Sequence, residues 1–192
     1  MLRDNWLDRW LPLAVARAGG APVLEVGCGH GDDTVSLAAA GLRVIAFDLS
    51  AAAVGIAKTR VPSASIECRD IRDALPRQAR ELGVVVASLS LHYFGWSETL
   101  EIAKRLRAAL RPGGVLLCRL NSTEDKNFGA YGHPEIELNF FMVNGEPKRF
   151  FDAPSVHSLF SAGWTFHSLE HFTTYKYLKP KSLWEAVVER DA

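Results

Sequence analysis

Residues 21–50 constrain this chain more than any other stretch. Pro22 to Val26 is a short apolar run stopped by glycine, the pattern of a buried parallel strand. Gly27, Gly29 and Gly31 come next, and glycine allows backbone angles and close approaches that a Cβ would forbid. Asp32 to Ala40 has helical composition, with carboxylates in its first turn and Gly41 placed to end it. Arg43 to Phe47 reads as a second buried strand, with Asp48 at its carboxyl end. A helix N-terminus facing a glycine turn attracts anions, and an acidic residue one strand later suits ribose hydroxyls. The stretch therefore predicts a strand–turn–helix–strand unit that carries a nucleoside-cofactor site.

The remaining segments extend this alternation. Residues 2–18 read as a helix with Trp6, Trp10 and Leu13 on one side and Pro12 breaking or kinking it. Ser50 can cap a helix from Ala51 to Thr59, and Ser63 to Cys68 is a third strand ending at Arg69-Asp70-Ile71. The segment around Pro76 predicts a weakly periodic helix. Gly83 to Ser90 is nearly continuous in apolar residues, which places it centrally in the sheet. Trp96, Leu100, Ala103, Leu106 and Leu110 form a helical stripe, and Val115 to Leu120 is a fifth strand. Asp152 opens a helix that Gly163 ends, and Trp164–Phe172 and Leu183–Glu189 are two last strands. Strand–helix alternation of this length requires an α/β fold, a parallel sheet with right-handed crossovers.

Composition narrows the class. At 192 residues and 48% hydrophobic content the chain fits one domain with a sizeable core, expected over residues 1–192. Twenty-two basic and 22 acidic residues cancel, so no global field draws it to DNA or to a membrane surface. Cys28, Cys68 and Cys118 are odd in number and form no Cys-x-x-Cys, which reads as buried thiols and no metal site. No apolar run is long enough to cross a membrane, and Arg3, Asp4, Asp8 and Arg9 replace a signal-peptide core. A soluble, cytoplasmic protein is expected.

The spacing distinguishes one nucleoside site from another. Dinucleotide folds use Gly-x-Gly-x-x-Gly, whereas this chain has Glu25-Val26-Gly27-Cys28-Gly29-His30-Gly31. That turn resembles the Glu/Asp-x-Gly-x-Gly-x-Gly motif of the class I S-adenosylmethionine-dependent methyltransferases. Asp48, Asp70, Ser88 to Tyr93, and Leu110-Arg111-Pro112-Gly113-Gly114 continue the resemblance in order over about 100 residues. Ser88 to Phe94, Arg119 to Thr123, Lys148 to Asp152 and Lys179 to Lys181 are similar to small bacterial methyltransferases of the tellurite-resistance type (TehB-like). The resemblance implies a Rossmann-like, seven-stranded, mostly parallel sheet with one antiparallel strand and helices on both faces. It also implies S-adenosyl-L-methionine as cofactor, held by Glu25, Gly27, Cys28, Gly29, Asp48, Leu49, Asp70, Ile71 and Ser88.

Methyl transfer to a small-molecule acceptor is the expected activity, by direct in-line displacement. His92, at the end of the fourth strand, is the candidate base or orienting group. His157, His167 and His171 read as structural, and Trp6 and Trp10 as core residues that could border a lid. Residues 121–151 form an insert where ligands bind in open α/β sheets. Its centre, Val143-Asn144-Gly145-Glu146 between Phe140-Phe141 and Phe150-Phe151, predicts a tight hairpin. The glycine-rich loop before it, residues 125–135, predicts a mobile cover whose Tyr131 and His133 join Arg149 in acceptor contacts. Arg149, Lys126 and Lys148 suit an anionic or soft-oxyanion acceptor. A DNA amino-methylating enzyme would need a proline-containing motif where Ser88-Leu89-Ser90-Leu91 stands. A protein or tRNA methyltransferase and a non-catalytic cofactor-binding module stay open, as do monomer and homodimer.

Overall fold

The structure, a computed structural model, describes residues 6–192. The first part of the expected helix over residues 2–18 lies outside the described residues. Its second part is a 3-10 turn, Asp8–Trp10, running into helix α1, Leu11–Ala18. Pro12 neither breaks nor kinks the helix. It stands in the first turn, where a missing N–H costs nothing. The chain then gives β1 (Val23–Val26), α2 (Asp32–Ala39), β2 (Val44–Asp48), α3 (Ala51–Arg60) and β3 (Ser65–Cys68). Next come β4 (Leu82–Ser88), α4 (Trp96–Ala109) and β5 (Leu110–Asn121). The insert holds β6 (Glu135–Glu137), β7 (Phe140–Val143) and β8 (Glu146–Arg149), and the chain ends with α5 (Ala153–Leu159), β9 (Trp164–Thr174) and β10 (Lys181–Arg190).

Seven strands pair in the order β3-β2-β1-β4-β5-β10-β9, with β4 in the middle as its apolar run predicts. The β3-β2-β1-β4-β5 ladder is parallel throughout, and β10 runs antiparallel to both neighbours. The expected sheet with one reversed strand is therefore present. Strand order turns back between β1 and β4, so the crevice for a ligand opens beyond the carboxyl ends of these two strands.

Alternation along the strands builds two cores. Leu24, Val26, Ile45, Phe47, Val85 and Leu116 pack with Ile102, Ala103 and Leu106 of α4 and with Val156 and Leu159 of α5. Val23, Val44, Ala46, Val84, Val86 and Leu117 face the other way, onto Ala14 and Ala18 of α1, Leu37 of α2, and Val54 and Ala57 of α3. Burial of each large aliphatic contributes about 1.5–3 kcal/mol, so the central strands dominate the stability. The expected helical stripe holds at Ala103, Leu106 and Leu110, with Trp96 packed against the core, and fails at Leu100. Thr99, Ile102, Ala103, Leu106 and Ala109 are buried, while Leu100 is on the exposed side.

Other expectations need correction. No helix forms between β3 and β4, because arginines and Pro76 leave no apolar face to bury; Arg105 instead ties this segment down through the carbonyls of Ile71 and Arg72. Cys68 is exposed, whereas Cys28 and Cys118 are buried. The first half of the 125–135 loop is tied to the body of the protein. Asp125 is buried and accepts from Lys181 Nζ (2.9 Å), Ala130 packs with Val143 and Phe150, and Gly129 lets the backbone lie against Val143. The hairpin forms as read: β7 and β8 pair antiparallel, with Asn144 and Gly145 at φ of 53° and 85° as a two-residue turn of the mirror-image kind requires.

Gly83 explains why α1 can sit directly on β4. A Cβ there would lie 1.8 Å from the Arg17 carbonyl oxygen at the end of α1. That carbonyl also accepts from Arg111 Nη2 (2.7 Å), so it cannot simply move aside. Gly83→Ala is expected to lose about 1–3 kcal/mol, the usual cost of overpacking. Gly55→Ala, in α3 with open space around it, should gain roughly 0.5–1 kcal/mol. Urea unfolding of both variants checks the pair; equal effects would mean that backbone contact at Gly83 does not set the helix position.

Candidate functional site

The glycine turn after β1 is held by the second strand. Gly27 N and Cys28 N both donate to Phe47 O (2.9 and 3.1 Å), while Gly29 N donates to the Asp48 carboxylate (2.8 Å). The other Asp48 oxygen accepts from Ser50 N (2.8 Å), and Ser50 Oγ caps α3 through Ala53 N (3.2 Å). Gly27 and Gly29 both lie in the left-handed region, at φ of 69° and 52°. A Cβ at Gly27 would stand 2.5 Å from Ser90 Cβ, whereas one at Gly29 would meet no protein atom within 4 Å. Gly27 is thus needed for packing inside the protein, and Gly29 keeps a cradle clear above the turn.

That cradle is one end of a cavity of about 680 Å³ at the carboxyl edge of the sheet. Of the expected cofactor residues, Gly27, Gly29, Asp48, Leu49, Asp70 and Ile71 line it. The structure adds Ser50, Arg72, Ser90, Tyr93 and Phe94, and from the hairpin Glu146 and Pro147. Asp70 accepts from Arg72 N (2.8 Å), and the Arg72 guanidinium bonds Glu98 (2.7 Å) and lies over the Phe94 ring (4.7 Å). The insert contributes to the lining through its hairpin residues Glu146 and Pro147, while residues 125–135 are absent from it.

Glu25, Cys28 and Ser88 stand behind the wall. Glu25 is buried beneath the turn and accepts from Thr34 Oγ1 (2.6 Å). Burial, with the charges of Asp33, Asp32 and Asp48 added, raises its carboxyl to about 8 despite the Thr34 bond. The Cys28 thiol is likewise pushed up to about 12, chiefly by burial, and is inert as a nucleophile. Ser88 Oγ accepts from Arg119 Nε (2.9 Å), and the Arg119 guanidinium lies 4.5 Å over the Trp6 ring. Trp6 Nε1 donates to Asp33 (2.9 Å) and Trp10 Nε1 to the buried Glu185 (2.6 Å). Both tryptophans join the N-terminal segment to the core, and neither lines the cavity.

The three residues expected to act on the acceptor are placed very differently. His92 is buried beside the cavity, with Nδ1 lacking a partner among the described residues and its carbonyl accepting from Arg149 N (2.7 Å). Burial, then the charges of Lys181 and Lys148, push the imidazole down to about 3, so it is neutral and only a feeble base. Arg149 is a clasp. Its guanidinium donates to Phe94 O (3.0 Å), Leu138 O (3.2 Å) and Glu137, between the Trp96 and Phe140 rings. A guanidinium so enclosed holds the insert onto the start of α4 and has no free edge for an acceptor. Tyr131 is 60% exposed, Lys126 is exposed and His133 is half-buried, and none of the three lines the cavity. His171 bonds Ser122 (2.8 Å) and His167 bonds Glu189 (2.6 Å), structural roles as expected. No cluster of three or more metal-ligating side chains occurs among the described residues.

Sequence reasoning missed Ser90, Tyr93 and Phe94 as individual lining residues although it singled out their segment. The deciding feature is Leu89, a non-glycine residue at φ 55° that turns the chain across the end of β4. No short-range pattern announces it.

Sheet order, reversed strand and a site at the carboxyl ends of β1, β2 and β4 define the Rossmann-like class I methyltransferase fold. Known proteins agree. A family model described as "Methyltransferase domain" matches residues 23–114. The chain is 37% identical over 112 residues to a trans-aconitate 2-methyltransferase of Paracidovorax citrulli, covering 57% of this chain and 41% of that protein. It is 32% identical over 135 residues to a ubiquinone biosynthesis O-methyltransferase of Aromatoleum aromaticum, covering 68% of this chain and 53% of that one. The chain spans about half the length of the curated relatives it matches. Among solved structures, an S-adenosylmethionine-dependent methyltransferase from Clostridium acetobutylicum superposes with a TM-score of 0.77 at 16% identity, covering 100% of this chain and 93% of that one.

The buried Glu25 makes stability depend on pH in a stated direction. Its folded pKa of about 8 is raised from 4.5, so its contribution is fully present below about pH 4.5 and is lost as pH rises through 8. His92 acts oppositely: lowered from 6.5 to about 3, it costs stability only as pH falls below its unfolded value. Between about pH 6.5 and 8, Glu25 therefore acts without His92, and stability should fall by on the order of 2 kcal/mol. Urea midpoints of wild type and Glu25→Gln across this range check it. The variant should be flatter by that amount; parallel curves would mean that Glu25 is ionised at neutral pH in the folded protein.

Proposed function

We propose that this protein is an S-adenosyl-L-methionine-dependent methyltransferase that methylates a small-molecule acceptor. One observation carries the reading. Asp48 is pinned by Gly29 N and Ser50 N at the mouth of the cavity, directly beside a left-handed glycine above which a Cβ would find only open space. A carboxylate has about four acceptor sites, so two remain for a ribose diol. Asp70 and Ile71, one strand further along, line the same cavity and would take the base, and Gly27 and Gly29 would take the amino-acid portion. When bound, the sulfonium supplies an already electrophilic methyl group. The chain's own work is then to orient the acceptor and exclude water, and positioning of this kind can contribute roughly 7–11 kcal/mol. Leu89, Tyr93, Phe94 and Pro147 provide the apolar walls for it.

Small molecules are favoured as acceptors by the relatives' names. Trans-aconitate 2-methyltransferase and ubiquinone biosynthesis O-methyltransferase both point that way. So does a Burkholderia thailandensis 1,6-didemethyltoxoflavin-N1-methyltransferase, at 18% identity and a TM-score of 0.69. The hairpin lining leaves a cavity better suited to such a molecule than to a macromolecule. Within the fold class we infer kinship with the tellurite-resistance type from Ser88 to Phe94, Arg119 to Thr123 and Lys148 to Asp152. Three free thiols support a reducing, cytoplasmic setting. Among the described residues no helix is long and apolar enough to cross a membrane.

Isothermal titration with S-adenosylmethionine and S-adenosylhomocysteine tests the cofactor. Asp48→Ala should weaken binding about ten-fold or more, about 1.4 kcal/mol. Gly29→Val should abolish it while the fold persists, since the added side chain meets cavity and not core. Undiminished affinity in both variants would remove the turn from the site.

A further inference from the structure

Three buried side-chain polar atoms lack a hydrogen-bond partner among the described residues: Ser90 Oγ, His92 Nδ1 and Asn121 Oδ1. They belong to one neighbourhood. Ser88 pairs with Arg119 in the parallel β4–β5 ladder, and Leu89 N continues it to Arg119 O (2.9 Å), so Ser90 and Asn121 leave adjacent strand ends. Residues 149–151 run beside both, through Arg149 N to His92 O (2.7 Å) and Phe151 N to Asn121 O (2.8 Å). Buried polar groups are nearly always satisfied, so unpartnered atoms on these neighbouring segments, of which Ser90 lines the cavity, ask for a ligand.

Two lysines contribute to the field at His92. Lys181 is 8% exposed, its ammonium lies 4.6 Å over the Phe128 ring, and its carboxylate partner is Asp125. Lys148, on β8, forms no ion pair among the described residues, and it acts electrostatically on both His92 and Lys181. Arg119 adds to the positive field at Lys181. Lys181 is thus paired with Asp125, and Lys148 is the cation left without an ion pair among the described residues. No group here takes up a proton readily at neutral pH: burial keeps His92 neutral, and the Tyr93 hydroxyl is held protonated by burial and by Glu146 and Asp48.

We propose that Ser90, His92, Asn121, Lys148 and Lys181 form the acceptor subsite, and that it takes a carboxylate-bearing molecule whose ionised oxygen is itself the nucleophile. This rests on the methyltransferase function proposed above. The carboxylate oxygen donates its electron pair to the methyl carbon as the carbon–sulfur bond breaks, and that bond's electron pair stays on sulfur. An anion and a sulfonium become a neutral ester and a neutral thioether, and no proton has to leave. A feeble base suits such a reaction. Lys148 and Lys181 would hold the acid, and the neutral polar groups would fix its orientation.

Binding to the protein saturated with S-adenosylhomocysteine tests this without any turnover. The probes are benzoate, cinnamate, succinate and trans-aconitate, each beside its methyl ester, followed by calorimetry. At least one acid should bind, and its ester about ten-fold more weakly or not at all. Lys148→Gln should weaken the acid about ten-fold while S-adenosylhomocysteine affinity stays within about two-fold. The double variant Lys181→Met with Asp125→Asn, which leaves no lone buried charge, should do the same and guards against a folding defect. If no acid binds, if esters match acids, or if both variants bind acid normally, the subsite is overturned. Failure of S-adenosylhomocysteine itself to bind would instead strike the methyltransferase function.

Discussion

The hydrogen bond from Gly29 N to the Asp48 carboxylate is the contact on which the site depends. It joins the ends of β1 and β2, fixes the glycine turn, and through Ser50 N sets where α3 begins. It exists only because the two strands are parallel neighbours in register, Val26 beside Phe47, and because Gly29 can take φ 52°. For an alanine the left-handed angle alone would cost roughly 1–2 kcal/mol. The sheet thus fixes the carboxylate in advance, and little ordering remains when a ligand arrives.

Electrostatics divide the region around the cavity in two. Carboxylates gather under the glycine turn, where Glu25, Asp32, Asp33 and Asp48 are close enough for the first to be raised well above its ordinary range. Cations gather past the end of β4, where Lys148 and Lys181 help to suppress protonation of His92. In both places burial is the largest cause, and like charge adds to it. Glu25 and His92 are thus both held neutral, one beneath the glycine turn and one past the end of β4.

Sequence revealed the sheet, the glycine turn and the hairpin because each has a short-range cause. Continuous apolar runs force buried strands, Gly27 to Gly31 forces the turn, and Asn144-Gly145 fits a mirror-image two-residue turn. Long-range contacts were not legible. Arg149 reads as an acceptor contact until Phe94 O, 55 residues away, and Glu137 are seen to occupy it. The loop over residues 125–135 reads as mobile from its glycines until Asp125 meets Lys181, 56 residues on. Exposure of Leu100 and Cys68 likewise depends on what lies opposite, which periodicity does not encode. Six of the cavity-lining residues could be named from the motifs, whereas the unpartnered state of Ser90, His92 and Asn121 depends on burial that the sequence does not encode.

A crystal structure of the complex with S-adenosylhomocysteine gives the most direct measurement. The ligand should occupy the cavity beside the glycine turn, with both ribose hydroxyls on the Asp48 carboxylate, the adenine beside Asp70 and Ile71, and the sulfur turned toward Ser90 and Tyr93. Density elsewhere on the protein, or a ligand in the cavity whose ribose leaves Asp48 untouched, would contradict the site.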